Sequence, residues 1–281
     1  MAKKKRDEVP EEEVLPSLSK LTPGKGTKRK KTRFIGMFGV PKTRKTGSCS
    51  TLPRGRTKWL ISDPNCIPTL EALKRLPHDD DIHECQSLTE ALAFTNEALD
   101  LAEKDGADAL GIDYLVVDSA TQFSDWHQQD IAKQTNQSFM GETKENNGWQ
   151  QFNAEFGRFL DNLAKLTSYC TVIVIGHIKE SAFKKKGQYA SLSLPPQMAE
   201  KLARLTNWLL YKTFDEIIEN TETLEANDFI TVEEEGETKR FFESVIWTKP
   251  VGNILASVNA PEMNTKEPGD LYKMLQKANL A

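Results

Sequence analysis

The sequence predicts an α/β fold with a mainly parallel sheet flanked by helices, followed by a C-terminal antiparallel hairpin. Short apolar segments rich in β-branched residues alternate with longer segments of helical periodicity, a pattern typical of parallel strands covered on both faces. After about residue 205 this alternation ends. Two strand-like segments then flank the polar, glycine-containing stretch 233–239, which predicts the hairpin.

Each element follows from its local pattern. Continuous apolar runs typical of buried strands occur at 33–38, 57–62, 114–117 and 171–176. Apolar side chains recur at three- and four-residue spacing in two longer segments, which predicts amphipathic helices over 88–104 and 149–166. The remaining predicted elements are strands at 208–211, 229–232 and 241–248 and a short helix over about 269–278.

The chain is predicted to contain one large domain with two appendages. Residues 1–32 hold three prolines, two glycines and many charges but few large apolar side chains, so we expect a flexible arm. Residues 33–250 contain the predicted core, and residues 251–281 form an extension with the short helix. Residues 1–33 carry eleven Lys or Arg against five Asp or Glu, which favours either contact with nucleic acid or a solvated tail.

The composition excludes several other classes of protein. Hydrophobic residues make up 38% of the chain and charged residues 28%, which is ordinary for a soluble protein. No apolar run reaches the roughly 18 residues of a membrane helix, so no membrane association is expected. The four cysteines are widely spaced and lack C-x-x-C spacing, which disfavours a zinc site and predicts reduced thiols in the cytoplasm.

Residues 39–46 approach the phosphate-binding pattern G-x-x-x-x-G-K-[ST]. In that pattern backbone N–H groups surround phosphate oxygens, the lysine neutralises the outer phosphates, and the hydroxyl ligates magnesium. Gly39, Lys45 and Thr46 occupy three of the four defining positions, whereas Arg44 replaces the second glycine. The alternative is a basic loop that contains these residues by coincidence. The predicted nucleotide-binding residues are Gly39, Val40, Pro41, Lys42, Thr43, Arg44, Lys45, Thr46 and Gly47.

Two further residues stand at the ends of predicted strands. Asp118 follows the run 114–117, as in a strand that delivers a carboxylate to magnesium, so Thr46 and Asp118 are the predicted metal ligands. His177 follows the run 171–176 and would contact the γ-phosphate. Each residue also has a common structural explanation when taken alone: Asp118 would cap the following turn, and His177 would form a hydrogen bond at the end of its strand. Together, at the edge where open α/β sheets bind ligands, they predict a nucleotide site.

These motifs, with the segments 52–55 and 194–202, resemble phage-type RecA-like ATPases of the AAA-domain kind. The resemblance covers about residues 33–250 and implies a RecA-like P-loop NTPase core that uses ATP and Mg²⁺. It also implies a homo-oligomer that acts on single-stranded DNA with phage recombination or replication proteins, in the cytoplasm of a host cell.

The resemblance also assigns catalytic residues and marks two departures. In this family an acid after the second strand polarises the attacking water. By the resemblance Asn65 stands where that acid would be, with Asp63 two residues earlier, so both are predicted catalytic residues beside His177. Asn65 can orient water but cannot accept its proton at neutral pH. A positive φ at Arg44 would cost about 1 kcal/mol. Alternatively, Arg44 supplies charge to a phosphate or to a neighbouring subunit's nucleotide.

The segment after His177 is predicted, by the same resemblance, to contact DNA. Its lysines suit phosphates and its aromatic side chains suit stacking on bases, although a solvated loop is an equal alternative. Residues 136–148 form a second polar loop, which would either bind substrate or serve merely as a connector. The predicted DNA-contacting residues are Lys179, Phe183, Lys184, Lys185, Lys186 and Tyr189.

Three functions are compatible with these residues. The first is a magnesium-dependent ATPase in phage DNA recombination, replication or repair. The second is a degenerate, slow or inactive ATPase fold that serves as a nucleotide- or DNA-binding scaffold, which Arg44 and Asn65 favour. The third is a nucleotide or nucleoside kinase. The kinase is disfavoured because residues 179–189 contain lysines but no arginine to close over donor phosphates.

Overall fold

The computed structural model of the chain describes residues 31–142, 148–179, 192–217, 229–233, 239–250, 256–258, 260 and 262–280. The predicted DNA-contacting residues other than Lys179, and residues 1–30 of the predicted arm, lie outside this part. The strands are β1 (Phe34–Gly39), β2 (Thr57–Ile61), β3 (Ile82–Glu84), β4 (Tyr114–Asp118), β5 (Thr171–His177), β6 (Trp208–Ile217), β7 (Phe229–Glu233), β8 (Lys239–Trp247), β9 (Ser257–Val258) and β10 (Lys266–Pro268). The helices are α1 (Lys45–Cys49), α2 (Cys66–Ala72), α3 (Leu88–Asp105), α4 (Ala120–Gln134), α5 (Trp149–Leu166), α6 (Pro196–Leu205) and α7 (Leu271–Lys277).

The strands form one sheet in the order β10-β8-β6-β1-β5-β4-β2-β3, with β7 paired to β8 and β9 paired to β6. From β3 to β6 all neighbours in this order are parallel. Beyond β6 the pairing turns antiparallel, and β7 and β8 pair in register from Phe229 opposite Glu243 to Glu233 opposite Lys239. The predicted fold class, a mainly parallel sheet with a C-terminal antiparallel hairpin, is therefore confirmed.

The apolar runs are continuous because both faces of the central sheet are covered. In β1 all six residues are buried. Phe34 and Phe38 belong to the hydrophobic cluster on one face, whereas Ile35 and Met37 belong to the cluster on the other. Burial on both faces removes the polar–apolar alternation that a half-exposed strand shows. The first cluster includes α3, α4, α5 and α6, and the second includes α1, α2 and α7.

The predicted helices over 88–104 and 149–166 correspond to α3 and α5, and the short C-terminal helix corresponds to α7. The last strand and helix join the core directly, since β10 pairs with β8 and α7 contacts α1. Among the described residues, none of the helices combines the length and the apolar character that a membrane-spanning helix needs.

Several elements were not predicted, and α4 is the most important of them. Its buried face includes Phe123 and Ile131, but also the polar residues Thr121, Ser124 and His127. Polar residues on the buried face weaken the apolar periodicity by which a helix is detected. The other helices and strands without a prediction are α1, α2, α6, β3, β9 and β10, most of which are short.

Candidate functional site

The predicted nucleotide-binding and catalytic residues lie at the carboxyl ends of β1, β2, β4 and β5. Because these strands are parallel and adjacent, their carboxyl ends meet at one edge of the sheet. A cavity of about 560 Å³ opens there. The predicted residues that line it are Pro41, Lys42, Thr43, Arg44, Lys45, Thr46, Asp63, Asn65, Asp118 and His177.

Gly39 ends β1 and lies tightly against the neighbouring strand β6. A Cβ atom at this position would lie 2.2 Å from the carbonyl oxygen of Lys212 and 2.9 Å from Oγ1 of Thr43. The Thr43 hydroxyl donates a hydrogen bond to the carbonyl of Val40 at 2.9 Å, which closes the turn that follows. The absence of a side chain at Gly39 is therefore required by the packing of the sheet.

Arg44 adopts the left-handed backbone conformation that a glycine would adopt at this position. Its φ is 57° and its ψ is 36°, at the N-cap of α1. This conformation costs a non-glycine residue roughly 1–2 kcal/mol. The guanidinium carbon lies 5.8 Å from the ring centroid of Phe214, and an exposed contact of this kind contributes about 0.5–1 kcal/mol. Part of the backbone cost is thus offset by a contact that holds the side chain against β6.

Lys45 places its ammonium group at the centre of the edge. Its Nζ donates to the carbonyl oxygens of Val40 at 2.8 Å and Gly39 at 3.2 Å. It also lies 3.3 Å from Nδ1 of His177. Burial lowers the pKa of Lys45 from 10.5 to about 8, although the nearby carboxylates of Asp118 and Asp63 act in the opposite direction. Lys45 is therefore a buried cation at neutral pH, surrounded by acceptors.

Thr46 and Asp118, the two predicted metal ligands, are in direct contact. The hydroxyl of Thr46 donates to Oδ2 of Asp118 at 2.6 Å. Asp118 is 2% exposed. Burial raises its pKa to about 6, against the lowering effects of the hydrogen bonds from Thr46 and Cys66. The carboxylate is thus desolvated, and it lies next to the hydroxyl that the phosphate-loop pattern assigns to the same metal.

The fit of this pair to magnesium follows from its donor atoms. A hydroxyl and a carboxylate supply oxygen ligands, which Mg²⁺ prefers, and nucleotide sites usually complete its shell with phosphate oxygens and water. Within the described residues no group of three or more His, Cys, Asp or Glu side chains could hold a metal ion by itself. The arrangement therefore fits a cation that binds together with a nucleotide, rather than a self-sufficient protein cage.

Asp63 and Asn65 follow β2 and differ in their relation to the cavity. The carboxylate of Asp63 contributes to the electrostatic environment of Lys45, Asp118 and His177. Asn65 caps α2, and its backbone N–H and side-chain amide donate to Oδ1 of Asp63 at 2.9 and 3.0 Å. Of these two predicted catalytic residues, Asp63 is the one that carries a negative charge to the site, and Asn65 orients it.

His177 ends β5 directly opposite Gly39 in the parallel register. Burial lowers its pKa, and the positive charge of Lys45 lowers it further. The charge of Asp63 and a hydrogen bond with the Gly39 backbone act in the opposite direction and raise the pKa. An ammonium group can only donate, so a hydrogen bond from Lys45 to Nδ1 corresponds to the neutral tautomer with its proton on Nε2. The histidine backbone N–H donates to Oγ1 of Thr121 at 3.0 Å, which ties β5 to the first turn of α4.

The structure also identifies residues at this edge that the sequence analysis missed. Cys66, Thr69 and Ile175 line the cavity, and Ser62 and Thr121 bond the strand ends beside it. In the sequence, the one signal that could have identified any of these residues is a polar side chain at the end of a predicted strand, and Ser62 shows that signal. Lys179, the one predicted DNA-contacting residue in the described part, is exposed. Its positive charge lowers the pKa of Asp125 on α4, although burial raises that pKa overall.

A comparison with protein-family models shows a match to the family described as an AAA domain, over residues 31–254. The matched range includes the phosphate loop, Asp118 and His177, together with strands β1 to β8. No curated protein matches the chain.

Proposed function

Because the chain belongs to the AAA-domain family, a nucleotide-binding P-loop ATPase domain, we propose that it binds ATP with Mg²⁺ at the carboxyl edge of its parallel sheet and hydrolyses it. The observation that carries the proposal is the contact of Thr46 with Asp118 at 2.6 Å, beside an ammonium group 3.3 Å from His177. These groups come from the start of α1 and from the ends of β4 and β5, yet they share one cavity.

In this proposal each side chain has a role that its chemistry supports. Lys45 neutralises the outer phosphates, and the backbone of residues 39–46 surrounds them. Thr46 and Asp118 would hold Mg²⁺, which would withdraw charge from the phosphate oxygens when bound. The neutral His177, protonated on Nε2, donates a hydrogen bond toward the terminal phosphate.

The hydrolytic water requires a group that orients it and accepts its proton. Asp63 is the candidate that carries a carboxylate, and Asn65 holds that carboxylate through two hydrogen bonds. Asn65 can orient water but cannot take its proton. We therefore assign proton acceptance to Asp63 and orientation to Asn65.

The resemblance of the sequence extends the proposal to its biological setting. We propose action in DNA recombination, replication or repair in a phage, with single-stranded DNA as the ligand that stimulates hydrolysis and with a homo-oligomer as the active form. The exposed Lys179 begins the segment assigned to DNA. The competing proposal is a scaffold that binds nucleotide without turnover, which Arg44 and Asn65 favour.

The test measures binding and turnover separately. Binding is followed by titration with a fluorescent ATP analogue with and without Mg²⁺, and turnover by phosphate release with and without single-stranded DNA. Lys45→Ala removes the proposed phosphate-binding charge. Lys58→Ala is the matched control, because Lys58 lies near the start of β2, and the cavity lies at the carboxyl ends of the parallel strands.

The outcomes separate the proposals. DNA-stimulated turnover that is lost in Lys45→Ala and kept in Lys58→Ala supports the ATPase. Mg²⁺-dependent binding without turnover, with or without DNA, contradicts the ATPase and favours the scaffold. If the parent protein binds no nucleotide, the assignment of residues 39–46 as a phosphate loop is wrong.

A further inference from the structure

Ser62, the residue between β2 and Asp63, binds the polypeptide at the Asp118 carbonyl and at the residue that follows it. Ser62 is 3% exposed. Its hydroxyl donates to the carbonyl oxygen of Ser119 at 3.0 Å and accepts from the N–H of Ser119, also at 3.0 Å. A single hydroxyl thus binds both backbone polar groups of the residue that follows Asp118.

We call the bonds from Ser62 to Asp118 and Ser119 the Ser62 clamp, and the backbone of Ser62 contributes to it. The N–H of Ser62 donates to the carbonyl of Asp118 at 2.7 Å, and the N–H of Asp63 donates to the same oxygen at 3.2 Å. These bonds continue the β2–β4 pairing past its last paired residues, Ile61 and Asp118. On the other side Ser119 caps α4, where its side chain accepts from the N–H of Gln122.

We propose that Ser62 is a positioning residue for Asp118, and that through Asp118 it sets the affinity of the site for Mg²⁺ with nucleotide. This inference rests on the proposed function. The β4 pairing holds the backbone before Asp118, and Ser62 holds the backbone after it. The carboxylate therefore retains only its own side-chain torsions, and one oxygen is already held by Thr46. Groups that orient a metal ligand in this way typically change metal affinity about 10- to 100-fold when removed.

Loss of the Ser62 hydroxyl would leave the N–H of Ser119 without that partner at a position that is 2% exposed. A buried N–H without a partner is unfavourable, so the peptide would turn toward another acceptor. Because Asp118 precedes that peptide directly, its carboxylate would move relative to Thr46. Asp63 follows Ser62 in sequence, so the same clamp also relates the two carboxylates of the site.

The experiment compares two hydroxyl deletions on the same strand. Ser62→Ala removes the two hydroxyl bonds to Ser119 and leaves the backbone bonds to the Asp118 carbonyl in place. Thr57→Val is the matched control, because Thr57 is 2% exposed at the other end of β2 and its hydroxyl also donates to a backbone carbonyl, that of Pro53, at 2.9 Å. The readouts are thermal unfolding, binding of a fluorescent ATP analogue without Mg²⁺, and the Mg²⁺ concentration that gives half of the Mg²⁺-dependent binding.

We expect Ser62→Ala to raise the half-saturating Mg²⁺ concentration about tenfold or more, with Mg²⁺-free nucleotide binding within about twofold of the parent. Thr57→Val should leave both binding values unchanged, although both variants lose thermal stability because each loses a buried hydrogen bond. Ser62→Cys keeps a weaker hydrogen-bonding group of similar size and should give an intermediate shift. It also carries the test if Ser62→Ala does not fold.

Two results would overturn the inference in distinguishable ways. A parent protein that responds to Mg²⁺, together with Ser62 variants that respond identically, would refute the positioning role and leave the proposed function intact. A parent protein with no Mg²⁺-dependent nucleotide binding would refute the proposed function and this inference with it.

Discussion

The substitution Gly39→Ala tests whether the first glycine of the phosphate loop is required by the sheet. The added Cβ would meet the carbonyl oxygen of Lys212 at 2.2 Å, roughly 1 Å or more inside ordinary van der Waals contact. This obstacle is backbone in the adjacent strand β6, so it cannot be relieved by rotating a side chain. Either β1 and β6 separate or the turn after Gly39 shifts.

The expected cost follows from the nature of the clash. Adding a carbon to a well-packed interior typically costs about 1–3 kcal/mol. Because the obstacle is a paired strand, we expect the upper part of that range, about 2–3 kcal/mol. For a chain of this size that loss lowers the melting temperature by roughly 4–12 °C.

The assay is urea denaturation of Gly39→Ala beside Gly47→Ala, both without nucleotide. Gly47 lies within α1, and its added Cβ would meet the end of the Leu73 side chain at 3.0 Å and the Cβ of Arg44 at 3.7 Å, but no backbone atom of another element. Alanine is favoured over glycine in a helix by about 1 kcal/mol, so this control should unfold at a similar or higher urea concentration. If Gly39→Ala unfolds with a free energy within about 0.5 kcal/mol of the parent, β6 does not exclude a side chain there and the packing argument is refuted.

Three further predictions concern single side chains. Burial lowers the pKa of His127 below 6.5, so the unfolded chain takes up the proton first as pH falls. The free energy of unfolding should therefore decrease below about pH 6.5, by at most about 1.4 kcal/mol per pH unit. Urea denaturation at several pH values should show a smaller decrease for His127→Gln than for the parent protein. Arg44→Gly relieves about 1–2 kcal/mol of backbone cost but loses the Phe214 contact and gains unfolded-state entropy, so calorimetry should show a net change within about 1 kcal/mol. A larger loss would mean that Arg44 has a greater structural role. Ser87→Ala removes the N-cap of α3, whose oxygen accepts from the N–H of Glu90 at 3.2 Å. Urea denaturation should show a free energy of unfolding about 1 kcal/mol lower for Ser87→Ala than for the parent protein, and Ser87→Asp should restore most of that loss.

The phosphate loop shows how far the sequence could reach. Gly39, Lys45 and Thr46 were detectable because their spacing is local and follows an apolar run. The sequence did not determine the backbone conformation of Arg44. Arg44 adopts a left-handed conformation, and its side chain is held near Phe214. This arrangement depends on a strand about 170 residues away in the chain. The sequence placed Asn65 at the position of the family's acid and Asp63 two residues earlier. The structure distinguishes the carboxylate of Asp63 from the amide of Asn65 that orients it.

The sequence by itself determined the alternation of strands and helices and the residue types at the strand ends, because periodicity and burial on both faces are properties of short segments. Only the tertiary structure decided that Thr46 reaches Asp118, that His177 contacts Lys45, and that Ser62 binds the backbone beyond β4. Those contacts depend on strand order and register. Central strands with similar apolar runs do not specify their neighbours, so the pairing emerges only when the whole core packs.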